Sequence, residues 1–156
     1  MKKVNIHRPE ITHDEGDPVG YETGYERLRP KVGGTRLGAS IYEMPPGQSI
    51  CPYHYEYTEE EWLLVLEGTA TVRTPDGEHE LERGDLVCFP LGPTGAHKVT
   101  NRQDDGNLRV VMFSTIAENS IAVYPDSDKI GIFPSNRDDR LMVRRDSGVD
   151  YFDGEV

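Results

Sequence analysis

The chain has 156 residues and carries 28 Asp and Glu against 17 Lys and Arg, a formal net charge of −11. That length suits one domain with a core that needs no disulfides. An acidic balance without a basic stripe excludes nucleic acid and anionic membranes as partners, and leaves a small-molecule ligand. No apolar run approaches transmembrane length, and residues 1–10 have a basic start without the apolar stretch of a secretion signal, so the cytoplasm is the expected location.

Residues 1–34 are rich in Pro, Gly and charge and read as an N-terminal extension, with a loop at Asp14-Glu15-Gly16-Asp17-Pro18. Short-period alternation then predicts a strand over 35–44, closed by the turn Pro45-Pro46-Gly47. Residues 53–57 read as a strand with His54 and Glu56 on one face and Tyr53, Tyr55 and Tyr57 on the other. The acidic run Glu59-Glu60-Glu61 leads into an apolar strand over 61–67. If Glu61 points inward, Leu63 and Val65 share its face, and Trp62, Leu64 and Leu66 face outward. An outward apolar triplet needs a cover, either a partner subunit or the N-terminal segment, and it motivates a homodimer.

Strands over 69–73 and 78–82 flank the turn Pro75-Asp76-Gly77 as an antiparallel pair. Further strands are expected over 86–89, 97–100 and 108–114. From Ala117 the chain reads as irregular, with sparse but large apolar residues such as Tyr124, Ile130, Phe133, Tyr151 and Phe152. That spacing fits an ordered strap lying on the barrel or on a partner better than a free tail. The division is therefore an extension over 1–34, a barrel over 35–116 and a C-terminal strap over 117–156. No long stretch shows helical periodicity, and many short strands between turns predict an all-β double-sheet jelly roll. Cys51 and Cys88 fit a reducing compartment and read as two buried small hydrophobes.

The chemistry concentrates in two stretches, 47–68 and 84–101. His54, Glu56, Glu61 and His97 bring imidazoles and carboxylates from separate strands toward one lumen, the donor mixture that a first-row divalent ion takes. Alone, His54 would be an ordinary hydrogen-bonded histidine, and Glu61 would be one more solvated carboxylate. Together with His97 they form a metal set. Asn101 shares parity with His97 and reads either as a support for the site or as a turn-former. His7, His13 and His79 read as solvated surface.

The spacing carries a resemblance. Gly47, six residues, His54-x-Glu56, a short gap, Glu61, six residues and Gly68 form one motif. Gly84, five residues, Pro90, a glycine turn, His97, three residues and Asn101 form the second. This pair of motifs resembles the cupin superfamily, in its short single-domain bacterial form of the conserved-barrel type. The resemblance implies a double-stranded β-helix with N- and C-terminal extensions, and it maps His54, Glu61 and His97 onto three of the family's four metal ligands. At position 56, where the family usually has a second histidine, this chain has Glu56.

Glu56 leaves three sites open. As a ligand it makes a two-imidazole, two-carboxylate centre that neutralises a divalent ion and favours Mn, Fe, Zn or Ni over Cu(I). Off the metal, it leaves the two-His, one-carboxylate set of non-haem iron oxygenases. Without any metal, Glu56 and Glu61 become an acid/base pair like that of metal-free epimerase cupins. The leading expectation is a metal-binding enzyme acting on a small polar metabolite, with dioxygenase, isomerase (a sugar phosphate isomerase among them) and lyase chemistry all open. The alternatives are a non-enzymatic ligand-binding or sensor protein, and a metal-free sugar-nucleotide or sugar-phosphate epimerase. No catalytic residue is assigned at this stage.

Overall fold

The computed structural model describes residues 1–155. In chain order the strands are β1 (Thr12–His13), β2 (Gly24–Arg27), β3 (Leu37–Met44), β4 (Tyr55–Glu56), β5 (Glu61–Glu67), β6 (Ala70–Thr74), β7 (Gly77–Leu81), β8 (Leu86–Phe89), β9 (Lys98–Thr100), β10 (Leu108–Thr115), β11 (Ser120–Tyr124), β12 (Lys129–Phe133) and β13 (Leu141–Arg144). They form a six-stranded sheet β1-β2-β3-β10-β5-β8, a four-stranded sheet β13-β12-β11-β4 and a three-stranded sheet β7-β6-β9. Every pairing is antiparallel. The all-β jelly-roll expectation holds. The one α-helix, Arg29–Val32, is a single turn between β2 and β3.

Alternation within strands sets the core. Met44, Leu63, Val65, Ala70, Val72, Phe89, Val99, Leu108 and Val110 pack between the six- and three-stranded sheets as the barrel interior. Leu63 and Val65 are buried on the inner face of β5, as their shared parity with Glu61 requires. On the outer face, Leu64 and Leu66 join Leu28, Ile41 and Val111, and the chain's own Val4, Ile6 and Ile11 close over them. Of the outward triplet only Trp62 stays substantially exposed, at 39%, with its indole N–H donating to the Glu60 carboxylate. The N-terminal segment is thus the cover, and it also adds β1 and β2 to the edge of the main sheet.

Two local expectations are corrected. The region after Ala117 is not irregular: β11, β12 and β13 form a meander that pairs onto β4 through Val123↔Tyr55 and Ala122↔Glu56. Tyr53 and Tyr55, which point away from the lumen, are buried against Val123 and Ala96 in a separate small core. The cysteines are both free, but Cys88 is exposed, opposite the exposed Trp62 on the neighbouring strand, and Cys51, in the loop before His54, is only half-buried. Among the described residues no helix is long and apolar enough to cross a membrane.

Candidate metal centre

His54 and His97 meet across the barrel wall in a two-residue antiparallel bridge. The His54 amide donates to the His97 carbonyl at 3.1 Å, and the His97 amide donates back at 2.8 Å. This reciprocal pairing puts both imidazoles on one face with ring centres 4.8 Å apart. The turn that delivers His97 requires glycine at position 95, where an added Cβ would lie 1.7 Å from the Pro90 carbonyl oxygen.

Each imidazole is oriented by its own backbone. His54 Nδ1 lies 3.1 Å from the Pro52 carbonyl, and His97 Nδ1 lies 3.0 Å from the Gly95 carbonyl. A proton on Nδ1 that donates to a carbonyl leaves Nε2 as the lone-pair nitrogen, the arrangement that metal-binding histidines use. Both Nε2 atoms then face Glu61, whose Oε2 is 3.5 Å from His54 Nε2 and 3.6 Å from His97 Nε2. That carboxylate oxygen is buried and has no hydrogen-bond partner. The three donor atoms lie within 4.8 Å of one another. A buried carboxylate oxygen without a donor is costly, and a divalent cation among the three would satisfy it. The donor set fits a metal.

Packing holds the rings from behind. Phe89 stacks on His97 with centroids 3.7 Å apart and planes 7° from parallel, and Tyr124 of β11 stacks on His54 at 5.8 Å and 20°. In front lies a cavity of about 220 Å³ lined by the three donors and by Tyr42, Ile50, Cys51, Val99 and Met112.

Without an ion, the three groups share charge unevenly. Burial disfavours an imidazolium at His54, but the adjoining Cys51 and the Glu61 carboxylate outweigh it and raise this histidine to about 11. Burial, reinforced by the charge on His54, pushes His97 down to about 4 although Glu61 opposes the shift. One proton is therefore held on the His54 side of the cluster, and a bound cation takes its electrostatic place.

Glu56 stands apart from the three. It shares the His54 side of its strand, but it is neither within the convergent donor group nor a wall of the cavity. Burial, then the Glu61 charge, raise it to about 7 against the pull of His54, and its Oε2 is buried without a hydrogen-bond partner. Asn101 proves to be the turn-former. Its amide donates to the Met44 and Gly106 carbonyls at 2.8 and 3.0 Å, and its oxygen accepts from the Gln103 backbone and side chain. Glu59 and Glu60 turn away from the lumen, to the Ala117 amide and the Trp62 indole. His7, His13 and His79 are exposed. Tyr42 was legible as an inward residue, two positions before Met44 on β3, but nothing near Tyr124 in sequence marks it as a neighbour of His54.

The family model described as "Cupin domain" matches residues 40–114, the stretch that holds His54, Glu56, Glu61, His97 and Asn101. Residues 40–114 are a cupin domain. A sugar phosphate isomerase from the cupin superfamily of Silicibacter pomeroyi superposes with a TM-score of 0.80 at 22% identity, covering 97% of this chain and 98% of that one. A candidate sugar phosphate isomerase from Acidithiobacillus ferrooxidans gives 0.80 at 23% identity, over 93% and 91%. The polyketide cyclase RemF of Streptomyces resistomycificus gives 0.59 at 24%, over 74% and 79%. The first two therefore match the cupin barrel together with both extensions, whereas RemF matches about three quarters of the chain. No protein of curated function matches the chain.

Proposed function

We propose that this cupin is a divalent-metal-dependent isomerase acting on a small hydroxylated carbonyl compound of the sugar phosphate class. The observation that carries the reading is the convergence of His54 Nε2, His97 Nε2 and the unpartnered Glu61 Oε2 at the floor of a cavity. Likeness along nearly the whole chain to two structures named for sugar phosphate isomerisation favours that chemistry over dioxygenase or lyase chemistry.

His54, Glu61 and His97 would hold Mn(II), Fe(II), Zn(II) or Ni(II), and such an ion polarises a carbonyl or hydroxyl oxygen. The chain's part is to fix the donors and exclude water. The Pro52 and Gly95 carbonyls hold the imidazole tautomers, Phe89 and Tyr124 brace the rings, and Val99 and Met112 keep the cavity wall apolar. We add Glu56 as a fourth donor, from its place outside the three convergent groups, because its buried, unpartnered oxygen calls for a cation or a proton. We also assign the protein to the cytoplasm, in keeping with two free cysteines.

Metal analysis should find about one divalent ion per chain. In D2O, metal-loaded protein should interconvert aldose and ketose phosphates and introduce deuterium beside the carbonyl, and chelator-treated protein should not. A panel that shows no turnover with any of the four ions would overturn the isomerase reading. Oxygen consumption by the Fe(II) form would favour the second reading, an oxygenase, which the three-donor set also suits.

A further inference from the structure

The metal cavity has a neighbour. Tyr42, Ile50 and Cys51, which line it, are also walls of an outer hollow of about 350 Å³, whose remaining walls are Pro52 and residues between 14 and 27 of the N-terminal extension. The inner cavity of about 220 Å³ is smaller than the roughly 300–1,000 Å³ of small-molecule sites, whereas the outer hollow already falls within that range.

The outer chamber carries both signs of charge. The Tyr25 hydroxyl donates to Asp14 Oδ1 at 3.0 Å, and Asp17 lies on the same wall. The Arg27 guanidinium sits 5.5 Å from the centre of the same Tyr25 ring and brings the hollow its positive charge. Among the described residues Arg27 is the only Lys or Arg lining either hollow. Among the described residues it has neither an ion-pair partner nor a side-chain hydrogen bond, although the chain carries 28 acidic residues. By contrast Arg73 and Arg102, in another polar hollow, are each held by two bonds to one carboxylate, Asp126 and Glu78. Tyr42 is a wall of both hollows.

We propose that the outer chamber is the substrate's anchoring subsite, in which Arg27 holds the anionic group of a hydroxylated substrate and the Asp14–Tyr25 wall meets its hydroxyls, while the reacting end enters the metal cavity. A guanidinium offers a fork of donors matched to phosphate or carboxylate, and the acidic wall offers acceptors that only hydroxyl groups can use. The proposal rests on the isomerase reading for which end reacts, but anion binding at Arg27 needs no turnover.

Calorimetric titration of metal-loaded protein with ribose 5-phosphate, ribonate and ribose tests it. Wild type should bind at least one of the two anions more tightly than ribose, and the tighter one names the anionic group. Arg27→Gln should weaken that anion by roughly tenfold or more, leave ribose unchanged and keep full metal content. Arg27→Lys should recover part of the loss, since it restores the charge without the fork. Wild-type binding of both anions no tighter than ribose overturns the proposal, as does an Arg27→Gln variant within about twofold of wild type. Intact Arg27-dependent anion binding without isomerisation would fault the reaction assignment and leave the subsite standing.

Discussion

Glu61 is the residue on which the centre depends, because both imidazole nitrogens reach the same oxygen of it. Glu61→Gln keeps the shape and removes the charge, so the variant should fold and lose the rise in melting temperature that Mn(II) or Ni(II) gives wild type. Mass action makes that rise worth about 2.7 kcal/mol at a hundredfold excess over Kd. A variant stabilised as much as wild type would place the ion elsewhere. Glu56 is tested by the identity of the ion. Glu56→His supplies the nitrogen donor usual in the family and should shift preference from Mn(II) toward Ni(II), whereas Glu56→Ala should weaken Mn(II) more than Ni(II). Equal affinities across all three proteins would leave His54, Glu61 and His97 as the whole ligand set. Asn101 should behave differently from either. Asn101→Ala orphans the buried Met44 carbonyl and the Gln103 amide, at roughly 1–3 kcal/mol for each buried group left unpaired. It should lower stability and leave metal affinity per folded molecule unchanged, as calorimetry alongside a urea melt would show.

At the scale of elements, the weak point is β4, two residues long, which sits directly after His54 and could not hold its register alone. The β11–β13 meander gives it an edge partner and brings Tyr124 against the His54 ring. Tyr124→Ala should therefore leave the barrel folded and weaken metal binding several-fold, and Tyr124→Phe should restore it, because the ring and not the hydroxyl does the stacking. Unchanged affinity in Tyr124→Ala would show that the Pro52 hydrogen bond fixes His54 unaided. This dependence was invisible in the chain because the residues that pair, Tyr55 and Val123, are far apart in sequence. The hairpin itself was more legible than the irregular reading allowed: Ser120–Tyr124 and Lys129–Phe133 are two apolar runs around Pro125-Asp126-Ser127-Asp128, and Asp128 takes the left-handed turn conformation with φ of 48°. Strands β3, β5, β8 and β10 were readable within a residue or two, since each carries its alternation and its turn signals locally. The His54/Glu61/His97 set was readable for the same reason, as a spacing within two short stretches. The rings that brace it and the chamber beyond it depend on pairing between distant segments.

For the molecule as a whole, the two extensions divide the work. The N-terminal one covers Leu64 and Leu66 with Val4, Ile6 and Ile11, so of the two covers expected for this face, a partner subunit or the N-terminal segment, the second supplies most of it. The C-terminal one carries a share of the exposed apolar surface on neighbouring strands. Ile132 and Leu141 stand opposite each other on β12 and β13, both exposed, with Met142 beside them, and Tyr151 and Phe152 project further along, 87% and 70% exposed. Two adjacent aromatic rings in edge contact with each other and open to water stand out on a strongly acidic chain. A homodimer remains our expectation, with the C-terminal meander and the segment after it laid against the second copy instead of the Trp62 face. Sedimentation at micromolar concentration should give a mass near twice the 17.6 kDa of one chain. The double substitution Leu141→Glu, Tyr151→Glu should halve it, because a buried carboxylate without a partner opposes association. Trp62→Glu should leave the dimer intact. A monomeric wild type would remove the second copy altogether, and dissociation by Trp62→Glu alone would return the interface to the outer face of β5.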